Sequence, residues 1–311
     1  MTEQKKMLLP WFTMMLVLIC LAYYVVFEYY KLYNANETHL FTRIGAPYAF
    51  QIYQGQYWGL FTNSLIHINI PHFLINGIGL WFLASYIERR SNFFKLFLLG
   101  LFASTVTSLI QLTMTSDAGV GLSGVNYFLL FFIIGKSLRD DDYKFKGRFI
   151  FLFVALLMLP FAYYLNTYKE YKIGIEAMSA GLIFGFIIGV TSNFKSKFVM
   201  ILLTLLISLG SIATLFYSPW SSEWNFAKAY QFHLKNDLRN ANKFYRTALK
   251  IAPQHPASRE NLKIIRIEQL SDLALKAYEN EEYIKAREYY ERILKIDPYN
   301  SWAKENISRL P

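Results

Sequence analysis

The chain has 311 residues, of which 54% are hydrophobic and 18% aromatic, and its net charge is +10. A soluble globular domain is more polar, so the composition predicts a membrane protein. No basic segment with interleaved aromatic residues indicates nucleic acid. Cys20 is the only cysteine, which excludes an intramolecular disulfide and argues against a thiolate metal site.

Seven stretches are predicted to cross the membrane, since a spanning helix needs roughly 20 mostly apolar residues. They are residues 7–27, 72–87, 93–114, 123–138, 149–165, 173–190 and 198–217. The second and fourth are short, which suits helices packed inside a bundle. The first follows Lys5 and Lys6 but is too long for a signal peptide and lacks a small-residue cleavage site. We interpret it as a retained anchor.

The loops after the second, fourth and sixth predicted spans are the basic ones. Their cations are Arg89, Arg90 and Lys95, then Lys136, Arg139, Lys144, Lys146 and Arg148, then Lys195 and Lys197. The intervening loops carry less positive charge: one contains Asp117 and no basic residue, and the other contains Lys169, Glu170 and Lys172. Because cytoplasmic loops are rich in Lys and Arg, the N-terminus is predicted inside and the C-terminus outside. We expect a multi-pass protein of the plasma membrane, in a bacterial cell.

After residues 218–222 the chain becomes charged and amphipathic, and Pro219 explains the break because it cannot continue a helix. Residues 241–253 match residues 286–298 at helical spacing, 45 residues apart. The pattern resembles tetratricopeptide repeats, whose usual period is 34, so the joining helix at 257–279 must be long. Residues 300–310 are predicted to close the array. Such repeats bind peptides or proteins, and a plain helical hairpin domain with no ligand is the alternative.

Polar groups are costly in a bilayer, so those near the predicted spans call for a partner or a function. His67, His72 and Asn76 open the second span, and His72 and Asn76 share one helical face. Gly121-Leu122-Ser123-Gly124 opens the fourth, where a helix start offers free N–H groups for an oxyanion. The simpler readings are that His72 and Asn76 satisfy each other or a carbonyl, and that Ser123 is an N-cap.

Together with the glycine-rich sixth span, these motifs resemble the rhomboid family of intramembrane serine proteases over residues 57–190. Residues 58–62 also resemble the family's Trp-Arg segment, although Gly59 stands in place of the arginine. The resemblance implies an all-α membrane protein with a rhomboid-like six-helix core. A seventh transmembrane helix and a tetratricopeptide-like helical repeat domain follow. We predict boundaries at 1–197 for the core, 198–222 for the seventh helix and linker, and 223–311 for the repeats.

The resemblance also implies roles for individual residues. Ser123 matches the nucleophile, and His72 and Asn76 match the side chains that hydrogen-bond the oxyanion. Tyr127 matches the ring that stacks on the catalytic histidine. Supporting positions are His67, Gly121, Gly124, Gly181 and Gly185, the last two of which let span six approach span four.

One departure concerns catalysis directly. The family pattern His-x-x-Gly-x-x-x-Gly reads here Met178-Ser179-Ala180-Gly181-Leu182-Ile183-Phe184-Gly185, and a thioether is no general base. The five histidines are His39, His67, His72, His233 and His255, and none lies near span six. Glu176, His72 or a partner chain are the remaining sources of a base.

The expected function is therefore that of a rhomboid pseudoprotease, which binds transmembrane helices and partner proteins without cleavage. The alternative is an active intramembrane serine endopeptidase that uses Ser123 with a non-standard base. We predict no cofactor and no metal. The expected partners are transmembrane helices, the lipid bilayer, and a protein or peptide at the repeats.

Overall fold

The computed structural model describes residues 9–33, 41–115, 119–144, 147–169, 173–192 and 197–311, without the side chain of Lys197. The described residues are largely helical and include no strand. The chain divides into two compact units, Met1–Trp220 and Ser221–Pro311. Eight residues used in the predictions above lie outside the described ranges: Lys5, Lys6, His39, Asp117, Lys146, Glu170, Lys172 and Lys195.

The first unit contains the apolar helices. In chain order they are α1 (Trp11–Tyr33), α2 (Ala49–Tyr53), α3 (Gly59–Leu65), α4 (Ile70–Glu88), α5 (Phe93–Thr115), α6 (Ser123–Ser137), α7 (Arg148–Tyr168), α8 (Ile175–Thr191) and α9 (Lys197–Phe216). A single 3-10 turn, Asp141–Tyr143, lies between α6 and α7.

Among the described residues, five helices are long and apolar enough to cross a membrane: α1, α4, α5, α7 and the Phe198–Phe216 part of α9. The two shorter apolar helices are α6 and α8, which correspond to the fourth and sixth predicted spans. The prediction that the second span is short was wrong. Helix α4 begins at Ile70, before the apolar run, because Asn69 caps it and Pro71 occupies its first turn.

Helix α6 is the centre of the first unit, and most of its side chains are buried. Its 15 residues span about 22 Å, less than the roughly 30 Å of a bilayer core. Lys136 and Arg139 lie at its C-terminal end, opposite Ser123.

Glu88, the last residue of α4, fastens α1 to this unit. Its carboxylate accepts hydrogen bonds from the backbone N–H groups of Phe12 (3.0 Å) and Thr13 (2.9 Å) and from the Thr13 hydroxyl (2.6 Å). The carboxylate thus satisfies free N–H groups at the start of α1 and favours the positive end of its dipole.

The second unit consists of α10 (Ser222–Leu234), α11 (Leu238–Ile251), α12 (Pro256–Glu279), α13 (Tyr283–Ile296) and α14 (Ser301–Ser308). Helices α10 and α11 pack as one pair and α12 and α13 as a second, with α14 against α13. The joining helix α12 has 24 residues, which accounts for the 45-residue separation.

The two helix pairs share their packing and their turns. Tyr245 and Tyr290 lie 45 residues apart, and both are buried at the centre of their pair. Asn236 and Glu281, also 45 apart, both adopt a left-handed backbone conformation, with φ of 57° and 61°, in the turn inside each pair. The internal repeat is therefore a repeat of structure as well as of sequence.

Candidate functional site

Ser123 is the first residue of α6 and follows a tight loop. Its neighbour Leu122, and not Ser123, occupies the N-cap position, and no side chain caps this helix. The interpretation of Ser123 as an N-cap was wrong. Its side chain is half-buried, and no described residue forms a hydrogen bond with its hydroxyl. The hydroxyl therefore makes no stabilising contact with a described residue.

Gly121 brings this loop against the start of α4. Its φ of +96° favours glycine, and a Cβ built on it would lie 2.4 Å from His72 Nε2 and 3.6 Å from Asn76 Nδ2. The structure thus brings together His72, Asn76 and the loop before Ser123. No larger residue fits at position 121 without displacing the imidazole.

The start of α4 is ordered by its own polar groups. Asn69 Oδ1 accepts a hydrogen bond from the His72 backbone N–H at 2.8 Å, and Asn76 Nδ2 donates to the His72 carbonyl at 3.1 Å. The simpler reading was right in part, because Asn76 satisfies a carbonyl, but the two side chains do not bond to each other. The His72 ring stays available for another ligand.

Two asparagines that the sequence reasoning missed complete the site. Asn126 Nδ2, one turn into α6, donates to the Asn76 carbonyl at 2.9 Å and to Asn76 Oδ1 at 3.2 Å. Asn63 on α3 accepts the Gly121 N–H at its carbonyl (3.0 Å) and donates from Nδ2 to the Pro47 carbonyl (3.2 Å). Asn126 lies two residues after the Gly-Leu-Ser-Gly motif and three after Ser123. This short distance from the serine was the only indication in the sequence that Asn126 belongs to the site.

His67 lies beneath this site, fully buried, with its ring centroid 4.9 Å from that of His72. Its Nδ1 is 3.2 Å from the Leu65 carbonyl. Within the described residues, His67 Nε2, Asn63 Oδ1 and Asn126 Oδ1 are buried without a hydrogen-bond partner.

Helix α8 packs against α6 through glycine. A Cβ on Gly181 would lie 2.3 Å from the Gly124 carbonyl oxygen, and one on Gly185 would lie 2.3 Å from the Phe128 carbonyl oxygen. Gly189 repeats this contact with the Phe132 carbonyl oxygen at 2.4 Å. The two backbones are therefore in direct contact along three turns.

Met178 precedes Gly181 by about one turn on α8, and its side chain is 5% exposed. It belongs to the apolar core of the first unit, as do Leu122 and Val125 at the start of α6. The residue before it, Ala177, lies beside Gly124, since a Cβ on Gly124 would be 3.1 Å from the Ala177 Cβ. Position 178 is thus a dry apolar position next to the Ser123 end of α6.

Tyr127 lies between α8 and α7, and a Cβ on Gly181 would be 3.0 Å from its Cβ. Its hydroxyl donates to the Ala155 carbonyl on α7 at 2.7 Å, and its ring stacks with Phe131 at 6.4 Å. Pro160 lies in the middle of α7 and has no N–H group to donate to the Leu156 carbonyl one turn earlier. The Ala155 carbonyl that Tyr127 contacts is the one next to it.

Glu176 is the other residue that the sequence named as a source of a base, whereas His233 and His255 were not. Glu176 is half-buried in the first turn of α8 and has no hydrogen-bond partner among the described residues. His233 and His255 pair with Glu268 (3.3 Å) and Glu223 (2.8 Å) inside the second unit. The described residues contain no group of three His, Cys, Asp or Glu side chains that could hold a metal ion.

Residues 54–195 match the Rhomboid domain family model. This stretch of the chain is similar to rhomboid domains. The match begins before α3 and extends beyond α8, so it includes Asn63, His67, His72, Asn76 and the residues of α6 and α8 described above. The match and the apolar helices together indicate a multi-pass membrane protein, whose environment is the lipid bilayer and the transmembrane segments in it.

Proposed function

We propose that this chain is a rhomboid pseudoprotease, which binds transmembrane helices without cutting them. The observation that carries the proposal is the buried Met178 beside the start of α6. A serine hydroxyl becomes nucleophilic only when a base removes its proton, and loss of the base of a Ser-His pair costs several orders of magnitude in rate. The groups that would bind a carbonyl oxygen remain, namely His72, Asn76 and the free N–H groups at the start of α6.

The alternative is an active serine endopeptidase, and one contact favours it. His72 Nε2 lies against Gly121, two residues from Ser123, so this imidazole is the nearest candidate for a base. To act as the base for Ser123, His72 could not at the same time donate a hydrogen bond to the oxyanion. The mechanism would be acylation of Ser123 followed by hydrolysis by water.

The two functions are separated by a fluorophosphonate probe applied to the chain in lipid. We expect no labelling of the native protein and labelling of Met178→His, which restores a base in the position next to the α6 start. Met178→Leu is the matched control, since it fills the same apolar position without a base. The double variant Met178→His, Ser123→Ala should lose the label again.

Native labelling that disappears in Ser123→Ala would overturn the pseudoprotease proposal, and His72 and Glu176 would be the next targets. Failure of a folded Met178→His variant to react would contradict the placement of a base at position 178. Binding is tested with a single-span protein whose helix is weakened by glycine, reconstituted together with the chain. We expect it to co-purify uncut.

The orientation in the membrane follows from charge and from the contacts between loops. Arg90 Nε donates to the Asp142 carbonyl, so the α4–α5 and α6–α7 connections lie together, and Glu88 adds the start of α1 to the same side. This side carries Arg89, Lys95, Lys136, Arg139, Lys144 and Arg148. We infer that it is cytoplasmic and that the Ser123 end of α6 belongs to the outer half of the plasma membrane.

We also propose that the second unit is a tetratricopeptide-like module that binds a protein or peptide partner. The buried Tyr245 and Tyr290 and the small residues around them support this assignment. On the proposed topology the module lies outside the cytoplasm, because α9 leads from the basic side to the opposite side. Protection of a cysteine at exposed Tyr299 from an impermeant thiol reagent in intact cells would overturn that topology.

A further inference from the structure

Helix α11 carries a stripe of positive charge on its exposed face. Arg239, Lys243, Arg246 and Lys250 recur at intervals of four, three and four residues, and all four side chains are exposed. At 100° per residue they fall within about 60° of one another, over a length of about 16 Å. The helix contains no acidic residue. We call these four side chains the basic stripe.

No member of the basic stripe forms an ion pair within the described part of the chain, although Asp237 is close enough to Arg239 for a charge interaction. Arg246 Nε donates to the neutral Asn242 at 2.7 Å. Asp237, at the start of the helix, accepts hydrogen bonds from the Asn240 backbone N–H (3.1 Å) and side chain (2.6 Å). In the second helix pair, by contrast, Lys285 pairs with Glu282 at 2.9 Å.

The fold itself does not require this charge, as the internal repeat demonstrates. The equivalent positions on α13, 45 residues later, are Ile284, Glu288, Glu291 and Lys295. The packing positions are kept, with Ala241 matching Ala286 and both fully buried. The same helical face therefore carries four positive charges in the first pair and one net negative charge in the second. The packing of the helix pairs does not determine the charge on this face. We therefore look for a binding partner to explain the positive charge of α11.

A short segment connects α9 to the first helix pair. Helix α9 ends at Phe216 and α10 begins at Ser222, so five residues separate them, with a reach of about 17 Å. Phe216, Tyr217 and Trp220 are 65%, 66% and 51% exposed, and aromatic residues at the end of a transmembrane helix mark the headgroup level. The length of the connection thus lets the first helix pair reach the headgroups of the bilayer that α9 enters.

We propose that the basic stripe of α11 binds the anionic phospholipid headgroups of the membrane that α9 enters, and so docks the first helix pair on the bilayer surface. Each Lys or Arg near an anionic surface raises membrane partitioning roughly fivefold. Four such residues on one face are enough to make docking strong. The connection between α9 and α10 alone only keeps the helix pair near the bilayer. The α13 face, with its two glutamates, stays in solvent.

The test uses the full chain in nanodiscs of phosphatidylcholine, with or without one third phosphatidylglycerol. A fluorophore on Leu234→Cys, an exposed position just before the stripe, reports its distance from a quencher attached to lipid headgroups. Cys20, the only native cysteine, is buried and should not take the label. A second label on Tyr299→Cys, at the far end of the unit, serves as the reference.

We expect phosphatidylglycerol to increase quenching at position 234 but not at position 299, and salt to reverse the increase. The double variant Lys243→Glu, Arg246→Glu carries the glutamates found at the equivalent positions of α13, so the fold should tolerate it. We expect this variant to weaken docking at least about 25-fold. Lys276→Glu with Lys295→Glu changes the net charge equally outside the stripe, and should leave quenching unchanged.

Equal quenching in the two lipid mixtures would overturn the proposal, as would an equal effect of the two double variants. Soluble polyglutamate that binds the stripe, while phosphatidylglycerol has no effect, would identify an acidic protein segment as the partner instead. Inorganic phosphate should release the fluorophore no better than sodium chloride of the same ionic strength. Specific release would identify a free phosphate site and contradict headgroup binding.

Discussion

The backbone contact between α6 and α8 predicts a large effect of a single methyl group. A Cβ on Gly185 would lie 2.3 Å from the Phe128 carbonyl oxygen and 2.9 Å from the Phe128 Cα. Favourable contacts between heavy atoms begin near 3.5 Å, so Gly185→Ala must separate the helices by about 1 Å. The atoms in the way belong to a helix backbone and cannot rotate aside.

The expected cost has two parts. Overpacking a well-filled core costs about 1–3 kcal/mol, and a separation along α6 also weakens the flanking contacts of Gly181 and Gly189. Against this, alanine is favoured over glycine inside a helix by up to about 1 kcal/mol. We therefore expect Gly185→Ala to destabilise the domain by about 2 kcal/mol, measured as unfolding in detergent.

Gly100→Ala is the matched control, because Gly100 lies on α5 with nothing within 4 Å of the added Cβ. That variant keeps the helix-propensity gain without the clash, so its stability should equal or exceed that of the native chain. If Gly185→Ala proved as stable as Gly100→Ala, the close approach of α6 and α8 would be refuted. The same result would also remove the basis for placing Met178 beside Ser123.

A further prediction concerns a carboxylate of the same unit. Glu88→Gln removes the charge behind three hydrogen bonds to the start of α1 and should cost about 2 kcal/mol of unfolding free energy. Protease cleavage before α1 should increase in that variant. Glu176→Gln, which removes a carboxylate with no such bonds, should change neither the stability nor the cleavage.

The sequence was most informative where the physical cause of a feature is local. Apolar length predicted the transmembrane helices, and the Asn69–Pro71 start of α4 follows from capping and proline rules that act within one turn. The spacing of His72 and Asn76 predicted a shared face, and Gly181 and Gly185 predicted close helix packing. Each of these inferences needed only the period of a helix.

The features that sequence reasoning missed depend on contacts between distant segments. Asn126 meets Asn76 across 50 residues, and Gln111 on α5 fills the space where Gly119 and Gly174 lack side chains. The hydrogen bond from the Tyr127 hydroxyl to the Ala155 carbonyl likewise joins residues 28 positions apart. No periodicity in a single chain records such pairs, because each partner satisfies its own local pattern.

Packing explains why most of the site is retained, and it leaves one residue unexplained. Gly121, Gly124 and Gly181 are required by contacts of 2.3–2.9 Å that any Cβ would make, so their presence says nothing about catalysis. Ser123 has no such reason: its hydroxyl caps no helix, forms no hydrogen bond with a described residue and is only half-buried. In a protein that binds helices without cutting them, a free hydroxyl at membrane depth can still donate to a carbonyl of a weakened transmembrane helix. Ser123→Ala should therefore weaken client binding even where no cleavage occurs, whereas a purely structural serine would leave it unchanged.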